Sequence, residues 1–274
     1  MHNSNFHVNM LPLEAQKHRM PETLDGQTKL NRHARDMIEL QIRKEQMDFL
    51  SERVIRFYNI YGDELESISQ VLKIRLGGLA SAYTVENKLP REAVKVQSRV
   101  KSLPSFLRKM EKLDWPMFGH PTEVITDLIG ARVICWFVDD CYGMLDYIQA
   151  TNQFLIKPRS LEDFIKDPKP TGYRAIHILA DISYDRVKTY QDRRTVVEDR
   201  MIGEIQIRSK LQNAWSDFTH AMYVKVPAEF QENYEATIAD IASRLSAEDN
   251  SALAVRAILQ RQAEKKDVDD FRTK

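Results

Sequence analysis

The sequence predicts an α/β fold, with a mixed sheet and flanking helices across residues 91–225. Along this stretch, runs with the period-two alternation of strands take turns with runs that have helical spacing. The run at 127–138 is almost continuously apolar, which is typical of a strand buried on both faces. The stretch at 171–182 opens with Thr171 and Gly172, a turn signal, and continues with β-branched residues at strand spacing.

The overall composition is that of an ordinary folded protein. The chain has 274 residues, 43% hydrophobic and 29% charged, which is enough to bury a substantial core. Lys plus Arg equals Asp plus Glu at 40 each, so any site for a polyanion must be local. The two cysteines, Cys135 and Cys141, exclude a disulfide framework and fit a reducing compartment. With no apolar run of 18 residues and no signal-peptide pattern, we expect a cytoplasmic protein without membrane segments.

Helical segments flank the predicted sheet. Residues 1–28 are polar and aperiodic and predict a loose arm, whereas residues 29–90 predict a helical extension. Gly77 and Gly78 are expected to end that helix. Residues 226–274 predict a helical C-terminal extension. Both extensions carry apolar stripes, so we expect a homo-oligomer or an intramolecular helical clasp. The stripe positions are Met47, Leu50, Val54, Phe57, Tyr61, Leu65, Ile68, Leu72 and Leu76, then Ile238, Ile241, Leu245, Leu253 and Ile258.

A strand at 93–101 and the helix after it carry a group of cations. In the strand, Arg99 and Lys101 lie on the face opposite the valines. The helix should open at Ser102 with a proline in its first turn, and bury Phe106, Met110 and Leu113. Ser105 and Lys109, four residues apart, share another helix face. Three cations and a hydroxyl could therefore converge on one spot that suits a polyphosphate, although such charges more often form a solvated face.

Two further strands offer polar faces. Tyr173 and His177 should point to the same face of a strand at 173–182. A polar excursion at 185–194 separates this strand from a strand at 200–208. On the latter, Glu204, Gln206 and Arg208 share one face, and Ile205 and Ile207 share the other. Polar faces in an otherwise apolar core indicate a cleft.

Helices are expected at 141–154 and at 209–225. The first should bury Met144, Leu145 and Ile148, and the second should bury Leu211, Trp215, Phe218 and Met222.

Candidate metal ligands come from two of these elements. Asp127 precedes the apolar run, and Glu204 lies on the strand at 200–208. Mg²⁺ held by one or two carboxylates plus substrate phosphates needs this kind of pair. A structural salt bridge to Arg132 or Arg208 is the alternative for either carboxylate. The seven histidines are scattered, and neither a CxxC motif nor a Gly-rich phosphate loop occurs.

Five motifs resemble the synthetase domain of the RelA/SpoT-type alarmone synthetases. They cover roughly half of the chain in the family order. The resemblance implies a nucleotidyltransferase-like mixed sheet and pyrophosphate transfer from ATP to the ribose 3′-OH of GDP or GTP, yielding AMP and ppGpp or pppGpp. The family hydrolase's His-Asp signature has no counterpart, so synthesis alone is expected. The motifs are RVKSLPSFLRK (99–109), DLIGARVIC (127–135), DPKPTGYRAIH (167–177), EIQIR (204–208) and WSDFTHAMYVK (215–225).

The resemblance also implies residue roles. Asp127 and Glu204 resemble the catalytic Mg²⁺ carboxylates, and Tyr173 the ring that stacks on the acceptor base. ATP-side contacts are implied for Arg99, Lys101, Ser105, Lys109 and Arg132. Acceptor-side contacts are implied for Lys169, Tyr173, His177, Gln206 and Arg208.

Alternatives remain open at the acceptor. The chain has Thr171 where the family usually has Asn, Phe164 where it has Tyr, and Ser216 and Thr219 where it has Ala and Glu. Some small members are toxins that resemble this template yet pyrophosphorylate the 3′ end of tRNA or make adenine alarmones. An antitoxin partner would belong to this alternative. A catalytically inactive nucleotide-binding or oligomerisation module is the third hypothesis.

Overall fold

The structure is a computed structural model that describes residues 24–191, 193–225 and 228–272. The chain divides into two compact units, residues 1–50 and 51–274. In its described part, the first unit consists of the beginning of the first helix. The second unit contains the rest of that helix, the sheet and the other helices.

The helices and strands follow one another in an irregular alternation. The helices are α1 (Leu24–Glu86), α2 (Leu103–Lys112), α3 (Val138–Ala150), α4 (Lys210–Lys225) and α5 (Ala228–Arg272). The strands are β1 (Val94–Val100), β2 (Ile129–Cys135), β3 (Phe154–Ile156), β4 (Glu162–Asp163), β5 (Ile176–Tyr190) and β6 (Arg193–Ser209). Short 3₁₀ helices lie at Arg91–Ala93 and Pro121–Glu123.

Within the described residues, the strands form one mixed sheet in the order β1–β2–β6–β5–β3, with β4 also paired to β5. The β2–β6 pair is parallel, whereas the other pairs are antiparallel. The predicted fold class, a mixed sheet with flanking helices, is confirmed.

One face of the sheet is apolar and forms the core. Ile176, Ile178, Ile205 and Ile207 are fully buried there. The face that carries Ser98 also packs against α1, where the hydroxyls of Ser98 and Ser69 lie 3.0 Å apart. The predicted alternation of β1 and β6 is confirmed, and it leaves the polar side chains of both strands on the opposite face.

Helix α1 is longer than predicted at both ends. It begins at Leu24, four residues before the end of the expected arm; the rest of that arm, 1–23, lies outside the described residues. The predicted end at Gly77 and Gly78 is wrong, because the helix continues to Glu86. Each glycine costs a helix interior about 1 kcal/mol relative to alanine. The burial of Ala80, Tyr83 and Thr84 beyond them offsets this cost.

The region predicted as a polar excursion, 185–194, is instead the end of a long hairpin. Strands β5 and β6 pair without interruption from Ile176–Ile207 to Tyr190–Arg193. Polar residues tolerate this position because the hairpin extends beyond the partner strands, leaving Val187 and Val196 exposed. The predicted strand start is also corrected, since β5 begins at Ile176 rather than at Tyr173.

Several predicted helix faces need correction. Leu113 is exposed because α2 ends at Lys112 and the chain then turns through Asp114, which has a positive φ. Phe218 is exposed because the buried side of α4 runs through Trp215 and Thr219.

Helices α3 and α5 also differ from expectation. Helix α3 starts at Val138 rather than 141, and it buries Met144, Leu145 and Ile148 as predicted. In α5, Ile238 is buried but Ile258 is exposed. Across the described residues, no helix combines the length and the apolar character needed to cross a membrane.

Candidate active site

The strand register assembles two rows of residues on the polar face of the sheet. Neighbouring positions across paired strands point to the same side, and positions two apart along a strand share that side. The first row is Gln97, Arg132, Gln206 and His177; the second is Arg99, Gly130 and Glu204. The motifs that are far apart in sequence are therefore brought together by the register.

A cleft of about 450 Å³ opens over these rows. Gly130 lies between Arg99 and Glu204 in the second row, and a Cβ atom placed on it would find open space except for the Glu204 carbonyl oxygen at 3.9 Å. The missing side chain leaves the floor of the cleft free. The lining includes Arg99, Asp127, Arg132, Glu204 and Gln206 from the predicted set.

Asp127 is held by two lysines. Lys101 Nζ donates to Asp127 Oδ2 and Lys109 Nζ to Oδ1, each at 2.6 Å. Burial alone would raise the pKa of Asp127, but the hydrogen bonds from the two lysines outweigh burial and hold the pKa below its ordinary value. The carboxylate is therefore ionised at neutral pH. Lys101 and Lys109 converge, as the sequence predicted, but they meet around the Asp127 carboxylate, which the sequence did not predict as their partner.

Glu204 has a different set of partners. His177 Nδ1 lies 3.1 Å from Glu204 Oε1, and Gln206 Nε2 donates to Oε2 at 2.6 Å. Burial raises the pKa of Glu204, the bonds from His177 and Gln206 lower it by more, and the charge of Asp127 acts to raise it. The Asp127 carboxylate is thus close enough to act electrostatically on Glu204. Neither carboxylate pairs with Arg132 or Arg208, which was the alternative reading.

The three remaining ATP-side candidates have different environments. Arg99 is exposed in the cleft. Arg132 Nη1 forms a salt bridge of 2.7 Å with Asp217 of α4. The Ser105 hydroxyl bonds to Ser102 and to Arg108, so it is engaged within its own helix.

Most acceptor-side candidates lie beside the cleft rather than in its lining. Residues 169–173, here called the acceptor loop, form a turn in which Gly172 N donates to the Lys169 carbonyl at 2.7 Å. The Tyr173 ring packs against Trp215, with Arg208 5.3 Å and Lys169 5.5 Å from its centroid. Tyr173 does not belong to the lining of the main cleft, because its ring packs against Trp215 of α4. Gln206 is the predicted acceptor residue that lines the cleft.

Arg208 is more deeply buried than its residue type would indicate. It is 1% exposed, and Nη2 donates to the Tyr173 hydroxyl at 2.9 Å and to Gln206 Oε1. Its Nε and Nη1 atoms have no hydrogen-bond partner among the described residues. Burying a guanidinium whose donors are only partly satisfied is costly for the fold.

Sequence reasoning missed one cation of the cleft, Lys73 of α1. Because β1 lies at the edge of the sheet, Lys73 reaches the cleft although α1 packs on the opposite face. In the sequence, Lys73 is only a charged residue between Leu72 and Leu76 of the apolar stripe. Such a position is typical of solvated surface and does not indicate a binding site.

The site fits a hard cation with few protein ligands. Among the described residues there is no cluster of three or more Asp, Glu, His or Cys side chains with metal-site geometry. Mg²⁺ does not need one, since it commonly binds through one or two carboxylates while waters and substrate phosphates fill the other positions. Asp127 and Glu204, both ionised and both lining the cleft, are the two carboxylates that could hold such a cation.

The cleft thus combines two carboxylates that can hold a metal ion with surrounding lysines and arginines, on the polar face of a mixed sheet. This combination is typical of enzymes that act on metal–polyphosphate substrates. Residues 98–228 match the family described as the region found in RelA and SpoT proteins. The chain therefore carries a RelA/SpoT-type domain, as its motifs predicted.

Individual relatives agree with this assignment. The chain is 29% identical over 181 residues to the GTP pyrophosphokinase YjbM of Bacillus subtilis, covering 65% of this chain and 79% of YjbM. It is 28% identical over 131 residues to the GTP pyrophosphokinase YwaC of Bacillus subtilis, covering 47% of this chain and 58% of YwaC. Among solved structures, small alarmone synthetase 1 from Bacillus subtilis bound to its product pppGpp superimposes with a TM-score of 0.60 at 25% identity, covering 76% of this chain and 99% of that one.

Proposed function

We propose that the protein is an ATP:nucleotide 3′-pyrophosphotransferase that makes ppGpp or pppGpp from GDP or GTP. The observation that carries the proposal is the cleft lined by two carboxylates, Glu204 and Asp127, of which Asp127 is bonded to Lys101 and Lys109. The relatives named GTP pyrophosphokinase support the same reaction.

In this reaction the ribose 3′-oxygen of the acceptor bonds to the β-phosphorus of ATP. The bond from that phosphorus to the α,β-bridging oxygen breaks, and AMP leaves with the electron pair. The 3′-OH proton passes to a base, for which Glu204 is our candidate because its carboxylate is ionised in the cleft. Such a transfer needs little covalent help from the protein, so positioning and charge neutralisation supply most of the rate.

The cations divide the work of binding ATP. Lys101 and Lys109 hold Asp127 and can share their charge with phosphate oxygens, since each ammonium has three donors. Arg99 and Arg132 line the same cleft and supply further phosphate or base contacts. The Ser105 oxygen accepts from Ser102 and Arg108, so its own hydroxyl proton is available to donate to a phosphate oxygen. When bound by Asp127 and Glu204, Mg²⁺ would neutralise the transferred phosphates and fix their orientation.

The acceptor binds along the second group of residues. The Tyr173 ring stacks on the base, while Arg208 and Gln206 offer hydrogen bonds, and Lys169 and His177 complete the pocket.

The deciding experiment incubates purified protein with ATP labelled at the γ-phosphate and Mg²⁺, offering GDP, GTP, no second nucleotide or deacylated tRNA in separate reactions. We expect labelled guanine tetra- and pentaphosphate and released AMP. Label on tRNA termini, or on an adenine nucleotide, would replace the guanine acceptor by that alternative. Absence of transfer to every acceptor would instead favour an inactive binding module.

We also propose that the enzyme works in the cytoplasm as a homo-oligomer. Ile38 and Ile42 of the first unit and, separately, Val255 and Leu259 of α5 expose large apolar side chains, which is the surface an interface would cover. Sedimentation of the purified protein as a strict monomer at micromolar concentration would rule the oligomer out. An antitoxin partner is proposed only for the case in which tRNA is the acceptor.

A further inference from the structure

A continuous hydrogen-bond chain connects the acceptor loop to the Glu204 carboxylate. Arg208 Nη2 donates to the Tyr173 hydroxyl at 2.9 Å, and that hydroxyl lies 2.6 Å from His177 Nε2. His177 Nδ1 in turn lies 3.1 Å from Glu204 Oε1. The ring assigned to the acceptor base is therefore two hydrogen bonds away from the carboxylate assigned to the metal.

Each group in this hydrogen-bond chain can be assigned as donor or acceptor without conflict. An ionised carboxylate can only accept, so His177 Nδ1 carries the proton in the bond to Glu204. In the neutral imidazole, Nε2 is then the acceptor, and the Tyr173 hydroxyl donates to it. The tyrosine oxygen accepts from Arg208, which has donors only. Burial raises the pKa of Tyr173 above its ordinary value, so the hydroxyl keeps the proton that it donates.

Packing holds the middle of the chain in place. Phe164 contacts the rings of both Tyr173 and His177 edge to face, with centroids 6.1 and 5.3 Å away. The centroids of Tyr173 and Trp215 are 6.2 Å apart. With these neighbours the imidazole has one orientation that satisfies both of its nitrogens, and this orientation fixes where the Glu204 carboxylate lies.

We propose that His177 and the Tyr173 hydroxyl are positioning residues that orient Glu204 for catalysis, so that Tyr173 serves the carboxylate through its hydroxyl and the acceptor base through its ring. The inference rests on the proposed function. The hydroxyl and the ring of Tyr173 then have different roles, and substitutions that remove only one of them can distinguish these roles. Hydrogen bonds from neighbouring groups to a ligating carboxylate or imidazole commonly tune its affinity for a metal by 10- to 100-fold.

The kinetic test is Tyr173→Phe, which keeps the ring and removes the hydroxyl. We expect kcat to fall about tenfold, the size expected for one lost hydrogen bond, while KM for the acceptor stays within about twofold of wild type. Tyr173→Ala should in addition raise KM for the acceptor. The matched control is Tyr184→Phe in β5. It removes a hydroxyl that donates to Glu64 at 2.9 Å, away from the cleft, and it should leave both constants unchanged.

A second readout does not depend on turnover. The Mg²⁺ concentration needed for half-maximal binding of a non-hydrolysable ATP analogue should rise several-fold in Tyr173→Phe and more in His177→Ala. His177→Asn should recover part of this loss, because its amide nitrogen can replace Nδ1 as the donor to Glu204. Circular dichroism and melting curves establish that each variant is folded.

The two readouts keep the failures distinguishable. If the wild-type protein transfers nothing, the proposed function fails, and the Mg²⁺ measurement still tests the positioning of Glu204. If Tyr173→Phe matches wild type in both kcat and Mg²⁺ dependence, the hydroxyl does not position Glu204 and the proposal is overturned. A change confined to KM for the acceptor overturns it as well, because only the ring would then matter.

Discussion

Ala242 of α5 lies directly against Gly172 of the acceptor loop: a Cβ atom on Gly172 would come within 2.4 Å of the Ala242 Cβ. Gly172 also has a φ of +81°, which alanine adopts at a cost of about 1–2 kcal/mol. Gly172→Ala should therefore lower the free energy of unfolding by at least about 2 kcal/mol, measured by urea titration.

The double variant Gly172→Ala/Ala242→Gly separates the two causes. Removing the Ala242 methyl should restore the steric part of the loss but not the backbone part. A Gly172→Ala protein as stable as wild type would show that α5 does not constrain the acceptor loop.

Lys73→Gln should raise KM for ATP about three- to tenfold with little change in melting temperature. The side chain is exposed, lines the cleft and makes no ion pair among the described residues, so its charge is available to a polyphosphate. Lys44→Gln, an exposed lysine on the same helix, is the control and should leave KM unchanged. Equal effects of the two substitutions would remove Lys73 from the site.

Glu204→Gln should reduce transfer at least about a hundredfold while the melting temperature stays within a few degrees. The amide keeps an oxygen for His177 but cannot act as a base and is a poor ligand for Mg²⁺. Glu198→Gln on the exposed part of the same strand provides a matched change with no expected effect on kcat. More than a few per cent of wild-type activity in Glu204→Gln would contradict the catalytic role.

Asp249 of α5 should make stability fall as pH rises. Burial raises its pKa above the ordinary value, although hydrogen bonds from Ser209 and Gln212 oppose that effect. The folded protein thus keeps this proton to higher pH than the unfolded chain, which loses it near pH 3.9. Stability is lost as pH rises from about 3.9 through the raised folded value.

The variant Asp249→Asn removes this titration. Its unfolding free energy relative to wild type should increase from about pH 3.5 upward and then level off, as followed by urea unfolding at several pH values. A difference that is the same at every pH would show that Asp249 does not carry the effect.

The sequence predicted the elements of the sheet better than their ends, for a physical reason. The alternation of β1 and of β6 up to Ser209 follows from burial of one face, which a period-two pattern records directly. The hairpin beyond residue 185 buries little, so polar residues there look like a loop. Gly77 ends no helix because packing beyond it, which is a tertiary effect, outweighs its intrinsic preference.

In the candidate site, too, some features could be predicted from the sequence and others could not. The convergence of Lys101 with Lys109 follows from their strand and helix positions. The position of Asp127 between them was not predicted, because it depends on the pairing of β1 with β2. The inward orientation of Tyr173 was not predicted either, because it depends on α4 and on the contact of α5 with the acceptor loop. Lys73 was missed because its relation to the cleft exists only after α1 has packed beside the edge strand.

The parallel pairing of β2 with β6 has a consequence for how the protein acquires its activity. Strands β5 and β6 follow each other in the chain and can pair early, whereas Gly130 meets Glu204 only when two distant segments close. This closure is also the step that brings Asp127 near Glu204. During refolding, catalytic activity should therefore return after most of the secondary structure has formed, and partly folded chains should be inert whatever their helix content. A chain in which β2 and β6 have not paired should accordingly have no transferase activity.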